Sequence, residues 1–224
     1  NGFEALTKLQ NELISAAASI EKEMDTVTSK LQTGKSKVQE LEEKVKNLEE
    51  ELTRTKTENM KDHLTGLLTR RAFSDEVKRI ESAYERIKTQ YAVVFFDLDH
   101  FKKLNDTYGH ECGDVVLSTF GKILNKSVRD HDLVGRYGGE EFVAIIHFNL
   151  NRELLQFLKR IKTIVTENSF LYKDKKIKVT FSAGVAIRST YETYENTLQK
   201  ADVLLYQAKE NGRNKIVLEN GMEI

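Results

Sequence analysis

Three groups of polar residues stand beside apolar runs that must be buried, and their types suit one kind of chemistry. Asp97 and Asp99 end the run from Tyr91 to Asp97, with Phe101, Lys102, Lys103, Asn105 and Asp106 directly behind. Glu140 and Glu141 follow Gly138 and Gly139, whose missing side chains let a bulky anion approach the backbone. Two carboxylate clusters, with no His or Cys cluster, point to magnesium, a hard cation that prefers oxygen ligands and substrate phosphates. Phosphoryl transfer of the polymerase kind uses such a site. Lys209 and Arg213 are four apart, on one face of a helix end beside Gly212 and Asn214, and could clamp a triphosphate. Their plainer reading is a pair of cations complementing the helix dipole. No P-loop and no glycine-rich dinucleotide fingerprint is present, so phosphates must be gripped in another way.

The elements that must position these groups follow from periodicity. Residues 70–90 read as an amphipathic helix, and Tyr91 to Asp97 as a buried strand that delivers the first acids. Val115 to Val128 is helical. Leu133 to Tyr137 and Glu141 to Phe148 are strands separated by Gly138 and Gly139, a close two-glycine hairpin signal. A helix from about Asn151 to Glu167, a strand from Ile177 to Ile187, a helix from Tyr194 to Asn211 and a strand from Lys215 to Leu218 complete the order. The mixture predicts an α/β or α+β domain with a partly antiparallel sheet and helices on its faces.

The first 60 residues repeat every seven instead. With Val38 at position a, Phe3, Ala17, Met24, Leu31, Val38, Val45 and Leu52 fall at a, and Leu6, Leu13, Ile20, Val27, Leu41 and Leu48 at d. Gln10, Gly34, Thr55 and Asn59 interrupt the seam. A period of 3.5 held over about eight heptads specifies a left-handed coiled coil. Lys37 then faces Glu42, Lys44 faces Glu49 and Glu51 faces Lys56 on a second chain, which favours a parallel homodimer. Lys30 opposite Lys35, together with Gly34, marks a weak segment. There is no proline, against an average usage of about 5%, so nothing forces a kink.

Composition narrows the partners. Lys plus Arg and Asp plus Glu are both 35, so no basic excess advertises DNA, RNA or an anionic membrane. No apolar run approaches the roughly 18 residues of a membrane span, so the segment is expected to be soluble and without a membrane anchor of its own. Cys112 is the sole cysteine, which suits a reducing, cytoplasmic setting. The start at Asn1 rather than methionine suggests a piece of a longer chain with an input module upstream.

Six motifs, in order, resemble the GGDEF domain of bacterial diguanylate cyclases. They are Asp62-His63-Leu64-Thr65-Gly66-Leu67-Leu68-Thr69-Arg70-Arg71; Phe96-Asp97-Leu98-Asp99-His100-Phe101-Lys102 with Asn105-Asp106; and Gly109-His110 with Gly113-Asp114. Gly138-Gly139-Glu140-Glu141-Phe142, Ser182-Ala183-Gly184-Val185-Ala186, and Ala201-Asp202 with Tyr206, Ala208-Lys209 and Gly212-Arg213-Asn214 complete the set. Thr69 replaces the family's usual Asn and Leu98 its usual Ile; neither change removes a polar group that the chemistry needs.

The resemblance implies a nucleotidyl-cyclase-like fold: a central mixed, largely antiparallel sheet flanked by helices, at residues 62–224, after a parallel dimeric coiled-coil stalk at 1–61. It implies a magnesium-dependent enzyme, with manganese as an alternative ion, that condenses two GTP into cyclic di-GMP with loss of two pyrophosphates. Asp97, the carbonyl of Leu98 and Glu140 look like the metal ligands, with Glu141 beside them, and Glu140 also helps deprotonate the attacking 3′-hydroxyl. Asn105 and Asp114 look like readers of the guanine edge, with His110 near the nucleotide, while Lys102, Lys209 and Arg213 hold phosphates. Arg129-Asp130-His131-Asp132 stands where many members carry an inhibitory site for the product, and Arg129 and Asp132 are assigned to it. Asp99 and Cys112 read as structural, a loop acceptor and a small filler. A silent nucleotide receptor or coiled-coil scaffold is the alternative, usually marked by loss of the acids, which this sequence keeps. A cyclase of relaxed base choice is a third reading, against which Asp114 argues.

Overall fold

The computed structural model describes residues 2–58 and 60–224, with side chains at residue 8, residues 13–48 and residues 60–224. The chain contacts group into two units, residues 1–56 and 57–224. The first is a single uninterrupted helix, α1 (Gly2–Glu58). Its seam residues Leu13, Ile20, Met24, Val27, Leu31, Val38, Leu41, Val45 and Leu48 are each 54–68% exposed and form an apolar stripe. Gly34 leaves the helix intact. Around it the hydroxyls of Thr26, Thr28, Thr33 and Ser36 bond back to carbonyls four residues earlier, the arrangement that loosens a helix locally. Phe3, Leu6, Gln10, Leu52 and Thr55 of the seam, and Glu49, Glu51 and Lys56 of the charge pairing, lie outside the described side chains, and Asn59 outside the described residues.

The second unit is a six-stranded sheet with helices on both faces. Its strands are β1 (Leu68–Thr69), β2 (Tyr91–Leu98), β3 (Leu133–Arg136), β4 (Glu141–His147), β7 (Phe181–Ile187) and β8 (Ile216–Leu218), in spatial order β1-β3-β4-β2-β7-β8. A separate two-stranded hairpin pairs β5 (Phe170–Tyr172) with β6 (Lys175–Ile177). The central pairings β3–β4, β4–β2 and β2–β7 are antiparallel, whereas the edge pairings β1–β3 and β7–β8 are parallel. The sheet is therefore mixed and largely antiparallel. Every residue of β2 is buried, as its apolar run demands of a strand covered on both faces.

Helices α4 (His110–Ser127) and α5 (Asn151–Glu167) cover one face with Val116, Leu117, Phe120, Leu124, Leu154, Leu158 and Ile161. On the other face α2 (Arg70–Ile87) and α6 (Tyr194–Glu210) bring Phe73, Val77, Ala201, Leu204, Leu205 and Ala208. The three-and-four spacing within each helix makes one buried stripe. Thr69 caps α2 by accepting from the Ala72 N–H at 3.4 Å, so the residue in the place of the family's usual Asn still fills the N-cap. Cys112 is fully buried in the core, and burial pushes its thiol up, as suits a filler.

The structure adds elements that the sequence reading lacked. Residues Phe101–Tyr108, for which no element was expected, form helix α3, and the helix expected from Val115 begins at His110. The single strand expected over Ile177 to Ile187 is divided: Ile177 belongs to the β5–β6 hairpin and only Phe181–Ile187 joins the main sheet. That hairpin turns at Lys173 and Asp174, both in the left-handed region without a glycine to announce it.

Two contacts hold the layers in place. A side chain on Gly184 of β7 would overlap the Ala201 carbonyl and the Leu205 N–H of α6, so the helix backbone lies directly on the strand. Asp132, whose side chain is 3% exposed, accepts from the backbone N–H groups of Arg129 and His147, each at 2.9 Å, and ties the entry of β3 to the end of β4. Burial pushes the Asp132 carboxyl up, but the hydrogen bonds from His147 and Arg129 outweigh it and hold the group below the ordinary aspartate range.

Gly184→Ala should destabilise the domain by about 3 kcal/mol, read as a lowered melting temperature, because backbone on both sides must move. For Asp132, a depressed carboxylate pKa means stabilisation that is complete above the ordinary value of about 3.9 and is lost as pH falls through the folded value. Asp132→Asn should therefore cost about 2 kcal/mol at neutral pH, since its amide faces an N–H it cannot accept from. The gap from the unaltered chain, measured by denaturant unfolding, should narrow progressively as pH falls below about 3.9.

Candidate active site

The acids gather where the end of β2 lies beside the start of β4. Asp97, 6% exposed, lies opposite Glu141 in the β2–β4 register, and the Leu98 N–H donates to the Glu140 carbonyl at 3.3 Å. The expected two-residue turn is a four-residue one: the N–H groups of Tyr137 and Gly138 both donate to the Glu141 carbonyl, at 2.8 and 3.2 Å. Neither Gly138 nor Gly139 takes a positive φ. A side chain at Gly138 would meet only the movable end of the Glu141 carboxylate, and Gly139 leaves open space at the tip.

Burial raises the Asp97 carboxyl, against the pull of Lys209, and the neighbouring Asp99 adds to the rise. Burial likewise raises Glu140, Asp97 pushes it further, and Lys209 again opposes. The pocket is thus short of positive charge, and α6 supplies some: Lys209 Nζ stands 2.8 Å from Asp97 Oδ2. Lys209 is a cation aimed at a carboxylate rather than a dipole complement. Among the described residues no three Asp, Glu, His or Cys side chains converge on one point. Asp97, Glu140 and the backbone carbonyl of Leu98 offer hard oxygens of the kind magnesium prefers, and could hold such an ion together with water and phosphate. Asp99 is structural as expected: it accepts from Thr180 Oγ1 (2.7 Å), Ser182 Oγ (2.7 Å) and the Asn214 N–H (2.9 Å).

The α3–α4 corner holds the second group. Gly109, at φ 85°, joins the two helices. Asn105 Oδ1 is buried yet has no hydrogen-bond partner among the described residues, a costly state unless a donor arrives. Gly113 makes the space for it, since a side chain there would overlap that oxygen. Asp114 follows directly and is exposed, as are Lys102 on α3 and His110 at the start of α4. The C-terminus of α6 runs through Gly212 at φ 104°, with the Arg213 N–H bonded to the Ala208 carbonyl at 3.0 Å, a helix end closed by glycine.

Arg129 is exposed beside a small cleft of about 70 Å³ that Asp132 and Arg160 also line. Asp132 is already committed to backbone N–H groups, so it shapes that loop, and Arg160, from α5, is the additional cation. A larger cavity of about 360 Å³ shares Arg129 with this cleft and is lined by none of Asp97, Glu140 or Lys209. Two residues here were missed from the sequence. Arg160 is one cation among many on a polar helix face. Arg136 donates to Asp62 through Nη1 (3.1 and 3.2 Å) and to the Gly139 carbonyl through Nε and Nη2 (3.1 and 2.8 Å). Its place two residues before the glycine pair was the available signal.

The chain is similar to curated proteins named as diguanylate cyclases. Diguanylate cyclase A of Treponema denticola is 39% identical over 140 residues, which cover 62% of this chain and 38% of that protein. DgcS of Shewanella oneidensis is 39% identical over 155 residues, covering 69% and 51%. The matched stretch thus spans about half, or less, of these relatives. Among solved structures, the coiled coil and GGDEF domain of DgcB from Caulobacter crescentus, in complex with c-di-GMP, superposes with a TM-score of 0.73 at 28% identity, over 82% of this chain and 98% of that one. Diguanylate cyclase SiaD from Pseudomonas aeruginosa, in complex with its activator SiaC, gives 0.68 at 28% identity, over 96% and 84%. The sequence model described as "Diguanylate cyclase, GGDEF domain" matches residues 59–215, and with the motifs and fold in agreement the chain belongs to the GGDEF domain family.

Proposed function

We propose that this chain is a diguanylate cyclase that condenses two GTP into cyclic di-GMP, releasing two pyrophosphates. The observation that carries the reading is the Lys209–Asp97 ion pair beside Glu140, a site that sets a cation against the buried Asp97 and the half-buried Glu140. Asp97, Glu140 and the Leu98 carbonyl would hold magnesium or manganese, with Glu141 next to them. The ion supplies charge neutralisation at the phosphates. Lys209 exchanges its partner Asp97 for phosphate when nucleotide binds, joined by Arg213 and Lys102. Glu140, kept basic by burial and by Asp97, takes the proton from the attacking 3′-hydroxyl. Asn105 Oδ1 accepts from the guanine edge and Asp114 accepts beside it, which selects guanine over adenine; His110 lies near the base.

One domain holds one GTP, yet the product joins two nucleotides head to tail, so two domains must face each other. We assign residues 1–61 to a parallel coiled-coil stalk that makes the homodimer and 62–224 to the cyclase domain. The exposed seam of α1 supports this pairing. An upstream sensory module would act through the stalk, with the Thr26 to Ser36 stretch as the segment that yields. Arg129 with Asp132 is proposed as the product-inhibition site, Arg160 adding a second cation. No described helix is long and apolar enough to cross a membrane; a cytoplasmic location without nucleic-acid partners is our assignment.

In a magnesium-supplemented GTP assay with chromatographic product identification, Glu140→Gln should lower cyclic di-GMP formation by about 10³ or more. Arg129→Ala should instead keep the initial rate and straighten the progress curve. Product formation by Glu140→Gln at the unaltered rate would refute the assignment. Removing residues 1–59 should make the specific activity rise with protein concentration, since the stalk no longer supplies a high effective concentration of the second domain; a truncated chain equally active when dilute would refute the stalk's role.

A further inference from the structure

The loop that carries Arg213 is held in a strained shape by two residues that the proposed chemistry does not use. Arg213 and Asn214 both lie in the left-handed region, at φ 63° and 49°, and neither is glycine. Such geometry persists only where the surroundings over-determine it. Here both backbone polar groups of Asn214 are gripped from outside the loop. Its N–H donates to Asp99 Oδ2 at 2.9 Å, and its carbonyl accepts from Lys162 Nζ.

Asp99 cannot relax, because its oxygens also take the hydroxyls of Thr180 and Ser182. Lys162 comes from α5, on the face of the sheet opposite α6, and is half-buried. Its ammonium also donates to the Ile224 main-chain oxygen at 3.2 Å. The acidic side chain whose charge acts on it is Asp99. A half-buried lysine whose hydrogen bonds go to main-chain oxygens is spending its charge on fixing backbone.

We propose that Lys162, with Asp99 as its counterpart, is a positioning residue that fixes the Asn214 backbone and thereby aims the Arg213 guanidinium at the triphosphate. The inference rests on the reading of Arg213 as a phosphate-binding residue. It predicts a selective effect: ligands with the phosphates that Arg213 reaches should feel the clamp, and those without should not.

Nucleotide binding by the full chain, measured calorimetrically with magnesium, tests this without turnover. Lys162→Met should weaken GTP about tenfold, the equivalent of one charge-assisted hydrogen bond, while GMP changes by less than about twofold. In an Arg213→Ala background the same substitution should weaken GTP by less than about twofold, because its effect passes through Arg213. If Lys162→Met lowers the melting temperature so far that binding cannot be measured, Lys162→Gln, which keeps a donor, carries the same comparison, with a smaller loss expected. Equal weakening of GTP and GMP, an unreduced penalty in the Arg213→Ala background, or no GTP binding by the unaltered chain would overturn the proposal. A chain that binds GTP with this pattern yet makes no cyclic di-GMP would count against the proposed function only.

Discussion

The backbone contact between α6 and β7 at Gly184 is the constraint on which the rest of the site depends. Helices normally stand off a sheet by the depth of the side chains between them. At Gly184 that depth is zero, because only a missing Cβ lets the Ala201 carbonyl and Leu205 N–H come so near. The helix then runs low across the sheet, and Lys209, two turns on from Ala201, reaches the Asp97 carboxylate. A helix seated higher would leave Asp97 buried without a counter-charge. The glycine closure at Gly212 and the left-handed residues after it belong to the same arrangement, turning the chain back toward β8 within reach of the acids.

Electrostatic balance in this molecule is local rather than global. The chain has no net charge, yet one end of its sheet concentrates Asp97, Asp99, Glu140 and Glu141, and the structure answers the first three differently. Asp99 is neutralised by hydroxyls and an N–H, Asp97 by an ammonium, and Glu140 by nothing that offsets its burial and its neighbours. A site left in that state takes up positive charge readily. It also distinguishes four acids that look alike as letters, since only those whose oxygens remain uncommitted can serve chemistry.

Much of this was legible in the sequence, and the failures have physical reasons. The strand ending in Asp97, the helix bearing Lys209 and the β3–β4 hairpin follow from apolar periodicity, and burial of β2 on both faces bears that out. Asp99 could be read as structural because a second acid at a buried strand end needs donors more than it can supply ligands. Helix α3 escaped because Phe101 is its only buried residue, so Lys102, Lys103, Asn105 and Asp106 suggested no element. The β5–β6 turn escaped because Lys173 and Asp174 adopt a conformation that glycine usually advertises. Gly138 and Gly139 were read as a tight hairpin tip, whereas the turn takes four residues and neither glycine adopts a positive φ. Arg136, Arg160 and Lys162 act across tens of residues of sequence, and no local pattern encodes such a partner.

Arg136 has a consequence for how the domain opens. Its guanidinium is shared between Asp62, whose carboxylate also receives the Thr65 N–H and hydroxyl, and the carbonyl of Gly139. The first turn of the domain and the loop before Glu140 therefore lose the same cross-link if either comes away. They form one cooperative unit in native-state fluctuations, so amide hydrogens at the two places should exchange with deuterium at matching rates although more than seventy residues of chain separate them.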